Sequence, residues 1–115
     1  MNEVQTYRTL ENKSSLIFAV NEMAKNGYRL VQISADKKED YDLLYSFAKA
    51  NELVNLRLRV EADEQIESIS GIYSYSYLYE NELKDLFGLD ILHINVDFKG
   101  NLYHTQVKTP FLNKA

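Results

Sequence analysis

Cysteine is missing from the 115 residues, and the chain holds only one proline, two histidines and four glycines. Without thiols there is no disulfide framework, no thiolate nucleophile and no Cys-ligated structural zinc, and an iron–sulfur cluster loses its usual ligands. Four glycines leave little from which to build a phosphate cradle, and G-x-x-x-x-G-K-[ST], G-x-G-x-x-G and G-x-S-x-G are all absent. The start, MNEVQTYRTLENK, has no basic region leading into an apolar one, so no secretory signal is read there. No apolar run approaches the ~20 residues that a bilayer span needs. An intracellular protein, soluble by itself, is expected. The net charge of −4 is made of interspersed signs with no basic run, which disfavours nucleic acid as a partner.

What is present is globular. Apolar residues make up 45% of the chain, Tyr and Phe are plentiful, and the length suits a single domain over residues 1–115. Val4 to Leu10 reads as a short strand. Asn12 and Ser14 offer capping oxygens, and Leu16, Ile17, Val20, Met23 and Ala24 then trace one helical stripe that Gly27 can end. YRLVQISA, YDLLYSFAK and Leu53–Glu61 alternate as strands, the last with Leu56, Leu58 and Val60 opposite Arg57 and Arg59, as in a sheet buried on one face. Short connections favour antiparallel hairpins. EADEQIE reads as a polar exposed loop. Tyr73, Tyr75, Tyr77 and Tyr79 stand two apart, as if extended, and the stretch reads as an extended or irregular approach followed by a helix over about Tyr77 to Phe87, ended by Gly88. Ile91 to Phe98 reads as a strand, Lys99 to Asn101 as a turn, Leu102 to Val107 as a returning strand, and KTPFLNKA as a surface tail. The expected architecture is α/β (α+β): a two-layer domain, its mainly antiparallel sheet covered by a helix, in the order β-α-β-β-β-α-β.

The stretch YLYENELKDLFGL crowds Glu80, Glu82 and Asp85 into six residues. They could be acid–base groups, metal ligands or a charged surface for another protein. In a helix, Glu82 and Asp85 share a face, Glu80 and Lys84 form a favourable pair, and acids near the start complement the dipole. Catalysis needs a pKa moved by burial or a like charge in a cleft, and the sequence displays no such cleft. His93 and His104 stand apart without helical metal spacing, and His93 reads as an ordinary surface or hydrogen-bonded histidine. No catalytic, metal or cofactor-binding residue is therefore assigned. The tyrosine row suits partner docking better than base stacking, because its neighbourhood is acidic.

YENELKDLFGL resembles the signature of the 30 kDa subunit family of respiratory complex I, E-x-E-x-x-D-x-F-G, at Glu80, Glu82, Asp85, Phe87 and Gly88. The similarity extends through ISGIY and the helix and strands of the N-terminal half. Two features depart from it. Asn81 stands where the family usually has Arg, and a His-Pro-Asp and Arg-rich continuation is missing. ILHINVDFKGNLYHT instead resembles the short family member found in energy-converting, Ech-type hydrogenases. The resemblance implies a cofactor-free accessory subunit on the cytoplasmic membrane face, touching the membrane only through partners. Those partners would be the hydrogenase large and small subunits, which would hold the nickel–iron and iron–sulfur centres. Glu80, Glu82 and Asp85 would meet donors on neighbouring subunits or cap local backbone, beside Tyr77 and Tyr79; Phe87 would anchor apolar surface and Gly88 permit a turn. A short 30 kDa-type subunit of an NADH dehydrogenase or formate-linked complex is the alternative within the family. A carboxylate-based metal-binding enzyme using Glu80, Glu82, Asp85 and His93 is the alternative outside it. An apolar docking patch would also favour homo-oligomers of the isolated chain.

Overall fold

The structure is a computed structural model, and it describes residues 4–98. Asn12 caps a 3-10 turn at Lys13–Ser15 by accepting from the Ser14 N–H at 3.1 Å, and α1 (Leu16–Lys25) continues from it. Leu16, Ala19, Val20 and Met23 form the buried stripe of α1. The chain leaves at Gly27, whose φ of +83° suits a residue without Cβ.

Four strands make the main sheet: β1 (Val4–Thr9), β2 (Arg29–Lys37), β3 (Tyr41–Lys49) and β4 (Glu52–Val60), side by side in the order β1-β4-β3-β2. β2 with β3 and β3 with β4 are antiparallel hairpins, in register from Lys37↔Tyr41 and from Lys49↔Glu52. β1 joins β4 in parallel at one edge. Alternation sets the two faces. Tyr41, Leu43, Tyr45 and Phe47 of β3 and Leu56, Leu58 and Val60 of β4 join the α1 stripe in one buried cluster. The opposite face carries exposed Arg57 and Arg59, and a polar link from Ser46 Oγ to Asn55 Oδ1 (2.7 Å) and from Asn55 Nδ2 to Gln5 Oε1 (3.1 Å). The expected mixed fold is found, and the expected elements follow in the expected order with one strand added before the second helix.

Three local expectations change. The supposed polar loop contains a strand, β5 (Gln65–Glu67), which pairs in parallel with β6 (Asp90–Leu92) and puts Ile66 wholly inside. The strand expected over Ile91–Phe98 stops at Leu92, because His93 takes a left-handed φ of 65° that a ladder cannot continue. The tyrosines do not form one extended row: the approach is irregular, with a 3-10 turn at Ser74–Ser76, while the helix expected over Tyr77 to Phe87 is found with those bounds as α2 (Tyr77–Phe87). The expected turn at Lys99 to Asn101, the strand Leu102 to Val107, the tail and His104 fall outside the described residues.

The tyrosines serve the sheet. β2 is an edge strand, and its register shifts between Leu30 and Gln32. Edge backbone needs partners other than a neighbouring strand. Tyr73 Oη donates to Tyr28 C=O (2.6 Å) and Tyr79 Oη to Val31 C=O (2.8 Å). Tyr75 Oη accepts from Leu30 N–H (2.9 Å) and donates to Leu30 C=O (3.0 Å). Three hydroxyls thus fasten the approach to α2 and its first turn along β2. Tyr75→Phe removes both links to Leu30 at a position still 41% exposed, where water can substitute in part. It should lower stability by about 1 kcal/mol in urea unfolding. Tyr7→Phe, at an exposed hydroxyl bonded to Gln5, should stay within about 0.5 kcal/mol.

Candidate functional site

α2 turns an unusual set of side chains inward: Glu80, Asn81 and Asp85 beside Leu83. Buried polar groups are tolerated when hydrogen-bonded, and Glu80, 1% exposed, meets that condition with short local contacts. Its Oε1 accepts from Ser68 Oγ (2.7 Å) and Ser76 Oγ (3.1 Å), and its Oε2 from the Ile69 N–H (2.8 Å). Its place in the first turn of α2 also sets the carboxylate against the positive end of the helix dipole. The network runs on: the Ser68 and Ser70 hydroxyls share a bond of 2.8 Å, and Ser70 Oγ accepts from the Asn95 N–H at 2.9 Å. One carboxylate therefore ties the start of α2 to the loop after β5, and that loop to the segment after β6.

Burial pushes the Glu80 carboxyl above its ordinary 4.5, against the pull of the bonds from Ser68, Ile69 and Ser76, with the Glu67 charge adding to the rise. Tyr45 lies in the same interior. Burial drives its hydroxyl strongly upward, and the Glu80 charge adds to that.

Asn81 is the second buried clasp. Its Nδ2 donates to Tyr77 C=O (2.8 Å) and Val96 C=O (2.7 Å), while its Oδ1 accepts from the Phe98 N–H (2.8 Å). Lys84 reinforces it through Asp97 at 3.0 Å, so the expected Glu80–Lys84 pair does not form. Tyr77 packs its ring 6.4 Å from that of Phe98. Segment 96–98 is held along one side of α2 in this way.

The remaining motif residues divide by face. Asp85 is 2% exposed. Glu82 is half-buried and faces the other side of α2, where it lines a groove of about 280 Å³ shared with Tyr79, Leu86 and β2. Phe87 meets the Tyr41 ring edge-on at 6.1 Å, and its C=O accepts from Tyr41 Oη at 2.7 Å. Gly88 ends the helix with φ 72° and donates its N–H to Lys84 C=O at 2.9 Å. His93 lies apart, its Nδ1 2.7 Å from Glu67 Oε2 on the surface. Glu80, Glu82, Asp85 and His93 do not converge: among the described residues no group of three or more His, Asp or Glu gathers as metal ligands would. Sealed from water, Glu80 is placed to order chain rather than to exchange a proton with a substrate. Ser68, Ser76 and Asn81 carry little signal in the sequence as site residues. They amount to two serines twelve and four residues before Glu80, and an amide at the position usually held by Arg.

Removing the acceptor exposes the design. Glu80→Ala leaves three buried donors without their partner and should lower stability by about 2–4 kcal/mol. The raised pKa fixes the pH trend as well. Stability that Glu80 contributes below pH 4.5 is lost as pH rises through the higher folded value. The stability of the wild type relative to Glu80→Gln should therefore fall across that rise, as read by urea unfolding at a series of pH values. A constant difference would contradict the burial account.

Comparison with known proteins agrees with this geometry. No curated protein matches the chain in sequence. In fold it is similar to a chain in the structure of the membrane-bound sulfane sulfur reductase (MBS), an archaeal respiratory membrane complex, with a TM-score of 0.76 at 15% identity. That match covers 90% of this chain and 64% of the other, so the present chain spans less than two thirds of its relative's length. Among the described residues, no helix is long and apolar enough to cross a membrane. The sequence model for the respiratory-chain NADH dehydrogenase 30 kDa subunit matches residues 8–101, which include α2 and its whole acidic motif. The chain belongs to that 30 kDa subunit family.

Proposed function

We propose that this chain is a noncatalytic accessory subunit of a membrane-associated, energy-converting [NiFe] hydrogenase, in which electrons pass from ferredoxin to protons while membrane partners move ions. The observation that carries this reading is the E-x-E-x-x-D-x-F-G motif, folded here as one helix and its cap within the stretch that matches the 30 kDa subunit family. Glu80 organises it from within, while Glu82 is left at the wall of an outward groove. A domain arranged in this way offers shape and charge to companions. In this reading the large and small hydrogenase subunits are those companions, and they hold the nickel–iron and iron–sulfur centres. The chain sits peripherally on the cytoplasmic face and touches the membrane only through them. The fold's occurrence in a respiratory membrane complex supports a subunit role. The segment ILHINVDFKGNLYHT, similar to the short family member of Ech-type hydrogenases, favours the hydrogenase over an NADH- or formate-linked assembly.

The test is purification of the tagged chain from its host under mild detergent, with mass spectrometry of what accompanies it. A nickel–iron large subunit and a cluster-bearing small subunit are expected. NADH-binding or formate-oxidising subunits would move the assignment to the other branch of the family. Recovery with no oxidoreductase component would overturn the subunit role itself.

A further inference from the structure

Among the described residues, nothing covers the edge of the sheet farthest from α2. β1 forms that edge, and α2 packs on β2 at the opposite one. All six residues of β1 are exposed, Val4 at 54% and Tyr7 at 58%. The Val4 N–H donates to Asn51 C=O at 2.9 Å and the Leu10 N–H to Arg57 C=O at 2.8 Å, so the even-numbered residues turn toward β4. In a parallel ladder the alternate residues turn both main-chain groups away from that neighbour. Gln5, Tyr7 and Thr9 therefore present theirs outward, as a template for another strand.

Two opposite charges stand along this edge, out of each other's reach. Arg8 is level with Leu56 and Glu52 is level with Val4, on the face of the sheet that α1 covers. Their four-residue offset is about 13 Å at strand spacing. Neither makes an ion pair among the described residues, and Glu52 accepts from Tyr28 Oη at 2.7 Å.

We propose that β1 pairs antiparallel with β1 of a second copy of this chain, about a two-fold axis through Thr6. The charges choose the register. The axis sets Arg8 of each chain opposite Val4 of the other, with Glu52 one strand further on. Two strand spacings, about 9.6 Å between Cα atoms, lie within the combined reach of an Arg and a Glu side chain. The Arg8 stem covers the exposed Val4 on the way. Gln5 comes opposite Tyr7 of the copy, so the outward main-chain groups exchange bonds. An axis through Tyr7 instead would put the two Arg8 side chains on adjacent diagonal positions, where like charges repel. Six residues a side, against the roughly 20–30 of a standard interface, make a dimer that dissociates in the micromolar range. The pairing goes beyond the subunit reading and, on the edge opposite α2, does not compete with companions of that helix.

The test is sedimentation equilibrium of the purified full chain over a concentration series, with amide hydrogen exchange read at both ends of the series. A dimer is expected. Exchange at the Gln5 and Tyr7 amides should slow as concentration rises, while Thr6 and Arg8, already bonded to β4, stay unchanged. Arg8→Glu and Glu52→Arg should each weaken the dimer at least about tenfold, and the two together should return it to within about threefold of the wild type. A chain that is monomeric at every concentration overturns the pairing. So does a dimer that protects other amides, or protection of Gln5 and Tyr7 that is independent of concentration. Single variants that associate like the wild type, or a double variant as weak as the single ones, overturn it too. None of these outcomes touches the subunit role, which rests on what co-purifies from the host.

Discussion

The Glu80 carboxylate inside the domain is the constraint from which the arrangement of its C-terminal half follows. A charge-bearing group removed from water is tolerable only where donors replace its hydration, and here two hydroxyls and one backbone amide do so from two separate stretches of chain. Those donors can be in place only if the loop after β5 and the start of α2 lie against each other. The polar cluster thereby specifies one arrangement of parts that apolar contact alone would hold less selectively. Asn81 repeats the device one residue later, and it fastens the chain beyond β6 to the other side of the helix.

The sheet supplies the frame, and α2 carries the acidic motif that packs against it. α1 closes the apolar side of the sheet, and α2 packs mainly on β2, with Phe87 reaching Tyr41 of β3. Tyr73, Tyr75 and Tyr79 solve the edge problem for part of that strand, since a phenol can meet backbone groups while its ring adds apolar cover. Where they stop, a groove begins. The acidic motif of this chain therefore contains two kinds of glutamate: Glu80 is buried and holds the helix in place, and Glu82, half-buried, lines the groove between α2 and β2.

Much of the frame was legible in the sequence. The strands around Leu43, Tyr45, Leu56 and Leu58 declared themselves because a sheet with one wet face must alternate, and α2 ended at Gly88 because few other residues accept a left-handed φ. The misreadings share a cause, in that long-range neighbours decided what local pattern could not. Ile66 looked like one apolar residue in a charged loop, and its partner strand lies 25 residues further along. The tyrosine row had a spacing of two, yet a 3-10 turn followed by a helix accommodates that spacing equally well. Glu80 and Glu82 are indistinguishable on paper. Which one is buried depends on the rotation of α2 against Ser68 and Ile69, and no rule of periodicity contains that rotation.

Glu80 holds α2 and the Ser68–Ser70 loop together on a sheet that stands without it. Amide hydrogen exchange reads this directly, because the Ile69 N–H bonds to Glu80 itself while the N–H groups of β3 belong to the sheet ladder. In Glu80→Ala the Ile69 amide should exchange at least about tenfold faster relative to β3 amides such as that of Leu43. Equal protection of Ile69 with and without the carboxylate would contradict that role.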